Sequence, residues 1–151
     1  CRDRGLHTAI DTTGHADMET VAAAAELVDL WLFDLKHPDP GEHRALTAVD
    51  NAAILRNLEL LARQERSIWL RVPVVPGLTD RPEALARTGR LARDLGIARL
   101  HLLPYHAAAG AKQGRFARDT GVPDLQPPTT AHLARLADGL RALGLDVQVG
   151  G

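Results

Sequence analysis

Short apolar runs that end in charged or ionisable residues recur along the chain, and a helical pattern follows nearly every one of them. Four such runs cover residues 7–11, 30–36, 68–73 and 100–106, and a fifth strand-like run covers residues 145–149. Strands that alternate with helices are typical of parallel βα units, because two parallel strands need a crossover connection. The pattern therefore predicts an α/β fold with five parallel strands and with helices on the outer face.

The length of the chain limits how such a sheet can close. A closed eight-stranded βα barrel typically takes about 250 residues, whereas this chain has 151. Residues 1–5 have the pattern of a last helical turn that ends at Gly5, and no Met begins the chain. We therefore expect residues 1–151 to be the carboxyl-terminal part of a single, incomplete TIM-like barrel domain whose first βα units are missing.

The connections between the runs carry their own signals for helices and turns. Helical patterns fill most of them, at about residues 18–27, 51–63, 82–95 and 130–143. Residues 37–42 are rich in turn-forming residues. Thr79 or Asp80 is expected to cap the helix after the third strand, with Pro82 in its first turn. The predicted buried stripe of the second of these helices consists of Ala53, Leu55, Leu58, Leu61 and Ala62.

Charged and ionisable side chains stand at the ends of the first four strands, at Asp11, Asp34, Lys36, Arg71 and His106. Parallel strands bring their carboxyl ends to one edge of a sheet, and that edge carries the chemistry of many α/β enzymes. Because successive side chains point to opposite faces, Asp34 and Lys36 share one face, which Arg71 and His106 are expected to join. Such a mixed set favours a zwitterionic ligand, with Arg71 able to bind a carboxylate through two hydrogen bonds. A purely structural ion-pair network is the plainer alternative.

The same alternation assigns other polar and aromatic residues to places outside this site. His101 is expected to point toward the helices. His37 and His43 flank the predicted turn and are expected to be solvated, whereas Trp31 and Trp69 are expected in the core.

Composition excludes several classes of function. The formal net charge of −1 gives no electrostatic reason to bind nucleic acid or an acidic membrane surface, and an aromatic fraction of 3% argues against a base-stacking platform. No apolar stretch is long enough to span a bilayer. A single cysteine excludes an internal disulfide and suggests a reducing compartment, so the sequence predicts a cytoplasmic protein.

Several sequence runs, taken in order and at their separations, resemble one known family. They are IDTTG at 10–14, FDLKH at 33–37, HRALT at 43–47 with VDN at 49–51, WLRVPVVPGLTD at 69–80, LLPYH at 102–106, Gly110 to Lys112, and the pair Pro127-Pro128. Together they resemble the activating enzymes of glycyl radical enzymes, with the pyruvate formate-lyase activating enzyme as the type, in the radical S-adenosylmethionine superfamily. The resemblance extends over essentially the whole chain.

This resemblance implies a cofactor site and a protein substrate. In the family, a [4Fe-4S] cluster reduces S-adenosylmethionine, and the deoxyadenosyl radical that results takes a hydrogen atom from a glycine of the partner enzyme. Matched positions imply that Asp34, Leu35, Lys36, Arg71 and His106 contact S-adenosylmethionine, and that Asp11 and Asp34 hold a monovalent cation. The implied partners are a glycyl radical enzyme and an electron donor such as flavodoxin or ferredoxin, in anaerobic metabolism.

The chain departs from the family pattern at the cluster. The family binds it through a CxxxCxxC motif near the amino terminus, whereas this chain has only Cys1, which matches a helix position. We therefore expect the cluster ligands outside this chain and the fragment alone to be inactive. Residues 107–128 are expected to form a loop that governs access of the partner's glycine, with Lys112 and Arg115 as contacts.

Two other functions are compatible with the residues alone. The chain has seven histidines, and Asp11 and Lys36 stand at predicted strand ends, a combination that is also typical of metal-dependent hydrolases on βα barrels. The absence of a His-x-His pair on any predicted strand argues against this function. The second alternative is a non-catalytic half-barrel that binds a partner or completes a split enzyme.

Overall fold

A computed structural model of the chain describes residues 1–106 and 125–150. After a 3-10 turn at Arg2–Arg4, the described strands are β1 (Ala9–Thr12), β2 (Leu30–Asp34), β3 (Ile68–Val74), β4 (Arg99–Pro104) and β5 (Asp146–Val149). The described helices are α1 (Met18–Ala25), α2 (Pro40–Thr47), α3 (Ala52–Arg63), α4 (Pro82–Asp94) and α5 (Thr130–Arg141). The predicted alternation of strands and helices is confirmed.

The five strands form one parallel sheet in the order β1-β2-β3-β4-β5. The register places Asp11 beside Leu32, Asp34 beside Arg71, and Arg71 beside His101. Within the described residues, β1 is an edge strand that pairs with β2 alone.

The hydrophobic core lies between the sheet and the helices. Alternate strand residues such as Phe33, Leu70 and Leu100 are fully buried there, and Leu58 and Leu61 of α3 pack against the same side. The residues between them on β2 and β3 are only half-buried. The sheet therefore has one covered apolar face and one open face, and Asp34 of β2 and Arg71 of β3 lie on the open face.

The start of α5 follows the sequence signal, whereas the start of α4 follows it only in part. Thr129 caps α5 by accepting a hydrogen bond from the backbone N of His132, 3.2 Å away. Pro82 begins α4, but its N-cap residue is Arg81, without a side-chain cap. The predicted cap at Thr79 or Asp80 is wrong because both side chains serve the preceding loop instead. Thr79 donates to the carbonyl of Pro73, and Asp80 accepts from the backbone N of Gly77.

Helix α2 begins inside residues 37–42, which were expected to form a turn. Asp39 caps it by accepting from the backbone N of Gly41 and of Glu42, so the turn-forming pair Asp39-Pro40 starts a helix. The prediction that His37 and His43 are solvated is wrong, since they are 5% and 2% exposed.

The buried stripe of α3 was predicted only in part. Leu58 and Leu61 are buried as expected, and Leu55 and Ala62 are half-buried against the same core. Ile54 and Asn57 are also buried, although the prediction did not include them. The list of predicted positions omitted Asn57 because an amide is an unusual core residue. No helix in the described part of the chain is long and apolar enough to cross a membrane.

Candidate functional site

Four charged side chains, near the carboxyl ends of β1 and β2 and in the middle of β3, form one continuous chain of hydrogen bonds. Arg71 Nε donates to Asp34 Oδ1 at 2.7 Å, and Arg71 Nη2 donates to Asp11 Oδ1. Lys36 Nζ donates to the other oxygen of Asp34, Oδ2, at 2.7 Å. We call Asp11, Asp34, Lys36 and Arg71 the ion-pair cluster.

The register of the sheet brings the cluster together. Asp34 and Arg71 are direct neighbours across the β2–β3 ladder, and their side chains therefore leave the same face of the sheet. Asp11 pairs with Leu32, which lies two residues before Asp34 on the same face. The prediction from alternation, that these side chains converge on one face, is confirmed for Asp34, Lys36 and Arg71.

The members of the ion-pair cluster differ in how deeply they are buried. The side chains of Asp34 and Arg71 are 14% and 15% exposed, whereas that of Asp11 is 64% exposed. Burial alone would lower the pKa of Arg71, but its hydrogen bonds to Asp11 and Asp34, together with their charges, hold that pKa above its ordinary value. A ligand carboxylate would reach the guanidinium most readily by replacing Asp11, because Asp11 is its exposed partner.

Two of the predicted site residues lie outside the cluster. The side chain of Leu35 is fully buried in the core, and its backbone N donates to the carbonyl of Arg71, extending the β2–β3 ladder. Only its backbone is available at the edge of the sheet. His106 lies two residues beyond the end of β4 and is exposed.

The prediction that His101 points toward the helices is wrong. His101 is the register neighbour of Arg71, so it lies on the open face, and its ring stacks on Trp69 with centroids 5.0 Å apart. The Arg99 guanidinium lies 4.9 Å from the Trp69 ring centre. Trp69 is therefore a half-buried residue of the open face, and the prediction that it lies in the core is wrong. The prediction assigned the faces of β4 by counting alternate residues back from His106. Because β4 ends at Pro104, His106 lies outside the strand and does not indicate which face His101 is on.

The environment of His101 keeps its imidazole neutral near pH 7. Burial, followed by the charge of Arg99, lowers its pKa below the ordinary 6.5. Its Nε2 is buried without a hydrogen-bond partner in the described part of the chain. The polar alternation of Arg99 and His101 with Leu100 and Leu102 is the sequence signal that identifies this face.

Buried polar side chains fasten the loops that leave the carboxyl edge of the sheet. Asn57 holds the loop after β1, Asn51 holds the segment after Lys36, and Thr79 holds the loop after β3. The loop after β1 also needs a glycine at position 14, where φ is +68° and an added Cβ would overlap the ring of Phe33. Sequence reasoning did not find the two asparagines.

Other parts of the molecule give less support for a site. A cleft of about 700 Å³ lies at the amino ends of β3 to β5, beside Ser67, Arg99 and Asp146, at the opposite end of the strands from the cluster. No group of three or more His, Cys, Asp or Glu among the described residues is arranged to hold a metal ion. Lys112 and Arg115, predicted as partner contacts, lie outside the described residues.

The fold is shared with solved radical S-adenosylmethionine proteins. The structure superimposes on Streptococcus suis SuiB bound to S-adenosylmethionine with a TM-score of 0.74 at 14% identity, over 100% of this chain and 34% of that one. The TM-score is 0.82 against a domain of pyruvate-formate lyase-activating enzyme from Bacteroides vulgatus, at 26% identity over 100% of this chain and 85% of that one. The parallel sheet and its helices therefore form a partial barrel of the radical S-adenosylmethionine type.

Curated relatives show which family within this fold class the chain is homologous to. The choline trimethylamine-lyase activating enzyme of Oleidesulfovibrio alaskensis is 38% identical over 110 residues, which cover 70% of this chain and 36% of that protein. The pyruvate formate-lyase 1-activating enzyme of Escherichia coli is 29% identical over 147 residues, covering 95% and 60%. Over most of its length, the chain is homologous to the activating enzymes of glycyl radical enzymes. It spans only part of the length of these relatives, and no family model matches it.

Proposed function

We propose that this chain supplies the S-adenosylmethionine-binding edge of an enzyme that installs a glycyl radical on a partner protein. The observation that carries the proposal is the ion-pair cluster at the carboxyl edge of a sheet homologous to such enzymes. When bound beside a reduced iron–sulfur cluster, S-adenosylmethionine supplies the radical chemistry of this class. The homology favours a glycyl radical enzyme as protein substrate. The proposal includes a flavodoxin or ferredoxin as electron donor and a cytoplasmic location.

The residues of the ion-pair cluster suit the polar groups of this cofactor. S-adenosylmethionine carries a carboxylate, an amine and ribose hydroxyls, which need both donors and acceptors. In the proposal, Arg71 exchanges its exposed partner Asp11 for the ligand carboxylate. Lys36, whose side chain is 33% exposed, offers a further donor, while Asp34 remains an acceptor beside it. His106 and the backbone of Leu35 complete the proposed contacts.

The residues of this chain do not fit an iron–sulfur cluster. Such clusters are held by several cysteine thiolates, and the chain has Cys1 alone, which is exposed. The proposal therefore places the cluster ligands outside these 151 residues. A complementing half-barrel is the second candidate function, favoured by the outer edge of β1, which no other described strand pairs with.

A monovalent cation at Asp11 and Asp34 is a conditional part of the proposal. Carboxylate oxygens suit a hard cation, but the Arg71 guanidinium already lies between these two carboxylates. The cation would require Arg71 to leave Asp11. Titration of the cofactor in potassium chloride and in choline chloride at equal ionic strength tests this, since equal affinities in the two salts would remove the cation from the proposal.

The main test adds the cysteines that would bind the iron–sulfur cluster. A segment with the CxxxCxxC motif, taken from a relative, is joined in front of this chain, and the chimera is reconstituted with iron and sulfide. We expect S-adenosylmethionine to bind in isothermal titration, and a glycyl radical to appear on the partner enzyme in electron paramagnetic resonance spectra.

Matched variants distinguish a specific site from general charge. Lys36→Met should weaken cofactor binding by about tenfold or more, because a charge-assisted hydrogen bond is lost. Arg63→Met should leave binding unchanged, because Arg63 forms an exposed ion pair with Glu59 on α3. A chimera that holds its full complement of iron yet binds no S-adenosylmethionine contradicts the proposal.

A further inference from the structure

Helix α3 carries a buried asparagine that fastens the loop after β1. Asn57 is 1% exposed, and its Nδ2 donates to the carbonyl of Gly14 at 2.8 Å and to that of Ala16 at 2.9 Å. This loop begins directly after Asp11 and Thr12, where β1 ends. A single side chain therefore fixes the path of the backbone that leaves the exposed side of the ion-pair cluster.

A second buried asparagine, at the start of the same helix, fastens the segment after β2. Asn51 is fully buried, and its Nδ2 donates to the carbonyls of His37 at 2.9 Å and Pro38 at 3.1 Å. Asn51 occupies the N-cap position of α3, yet its side chain does not cap that helix. The amide is instead directed to the two residues that follow Lys36.

The burial of these two amides needs a reason other than packing. Burying an amide is unfavourable unless its hydrogen bonds are restored, whereas a leucine of similar size would fill the space without that loss. The Oδ1 of Asn51 is itself buried without a partner among the described residues. The amides are therefore explained by the loops that they hold, each of which adjoins one member of the ion-pair cluster.

We propose that Asn57 and Asn51 are positioning residues that separately set the two sides of the ion-pair cluster, Asp11 through the loop after β1 and Lys36 through the segment after β2. The two asparagines lie six positions apart on one helix and contact different loops, so their effects are separable. The link to cofactor binding rests on the proposed function, but the positioning itself does not.

The experiment uses the full 151-residue chain without any ligand. Asn57→Ala and Asn51→Ala are compared with wild type and with Arg56→Ala, a control on the exposed side of α3. Amide hydrogen exchange is measured by nuclear magnetic resonance at three reporters that are hydrogen-bonded within the loops. Gly14 and Ala16 report on the loop after β1, and Asp39 reports on the segment after β2.

The expected result is a crossed pattern. Asn57→Ala should accelerate exchange at Gly14 and Ala16 by at least about tenfold and leave Asp39 unchanged. Asn51→Ala should do the reverse. The side-chain nitrogen signals of Arg71 give a spectroscopic signature that a merely structural role would not move in a selective way. They should shift toward those of Asp11→Asn in the first variant and toward those of Lys36→Met in the second.

Every other pattern overturns the proposal. Exchange that accelerates equally in both loops means that the asparagines serve general stability, and unchanged exchange means that they hold nothing. If an alanine variant does not fold, the serine variant at that position, which keeps one donor, takes its place. A wild-type chimera that fails to bind S-adenosylmethionine would contradict the proposed function while leaving these ligand-free comparisons decisive.

Discussion

Arg71 and Asp34 are neighbours in the β2–β3 register as well as ion-pair partners, with Arg71 Nε 2.7 Å from Asp34 Oδ1. The backbone ladder therefore fixes their relative position before any side-chain rotamer is chosen. Arg71 uses a second nitrogen for Asp11, one strand further away. The guanidinium thereby links three strands, which a single ammonium with no planar fork would not do equally well.

Removing this guanidinium should destabilise the fold. Arg71→Met leaves Asp34, 14% exposed, beside only Lys36, and we expect the free energy of unfolding to fall by about 1–3 kcal/mol, less than for a fully buried pair. The free energy of unfolding of Arg71→Lys should lie between those of wild type and Arg71→Met. Urea unfolding measures these changes, with Arg63→Met as control, which should change stability by about 0.5 kcal/mol or less. An equal loss in Arg71→Met and Arg63→Met would show that the cluster adds no stability.

Two glycines offer a matched test of the loop after β1. Gly14→Ala should lower the free energy of unfolding by about 1–3 kcal/mol, because φ is +68° and the new Cβ would overlap the buried ring of Phe33. Gly139→Ala should raise it by up to about 1 kcal/mol, because Gly139 lies in α5 with open space at its Cβ position. Thermal unfolding of both variants decides the matter, and a neutral Gly14→Ala would refute the close approach to Phe33.

Much of the fold followed from the sequence because hydrophobic alternation and crossover geometry act locally. The parallel arrangement of the five strands was predicted from the alternation of strands and helices. The convergence of Asp34, Lys36 and Arg71 was predicted from the period-two alternation of side chains within strands. The face of His101 was not, because alternation holds only inside a strand and β4 ends at Pro104. Alternation counted from a residue beyond the end of a strand does not predict the face on which a residue of that strand lies.

The remaining errors of the sequence-based prediction have two causes, an ambiguous local pattern at Asp39-Pro40 and long-range contacts at the two asparagines. Asp39 and Pro40 are typical both of a turn and of a helix start, and only the hydrogen bonds from Gly41 and Glu42 to Asp39 distinguish the two. Asn51 and Asn57 were missed because their carbonyl partners are 13 to 43 residues away in sequence. Contacts over such separations depend on tertiary packing, which no local pattern records.

The buried imidazole of His101 should make stability depend on pH. Because burial and the charge of Arg99 lower its pKa in the folded state, the unfolded chain takes up a proton there at a higher pH than the folded chain does. The free energy of unfolding should therefore fall as the pH is lowered through about 6.5, and this loss should level off below the folded-state pKa. His101→Phe, which keeps a ring against Trp69, should remove this part of the dependence. Urea unfolding between about pH 8 and pH 5 measures it, and an identical pH profile in the variant would contradict the argument.

Asp34 and His106 should matter more for cofactor binding than for folding in the chimera that carries the cysteine motif. Asp34→Ala and His106→Ala each remove a proposed hydrogen bond to S-adenosylmethionine, worth on the order of 1–3 kcal/mol, or about 5- to 150-fold in affinity. His106 is exposed, so its variant should melt like wild type, whereas Asp34→Ala should also lose stability because Asp34 pairs with Lys36 and Arg71.

The two variants therefore separate binding from folding. Isothermal titration gives the affinities and thermal unfolding gives the stabilities, with His7→Ala as a control at an exposed position before β1. A weaker affinity in His106→Ala at unchanged melting temperature is the clearest expected signal, because no loss of folded protein can explain it. If both variants bind S-adenosylmethionine as tightly as wild type, neither residue contacts the cofactor, and Lys36, Arg71 and the backbone of Leu35 remain as proposed ligands at this edge.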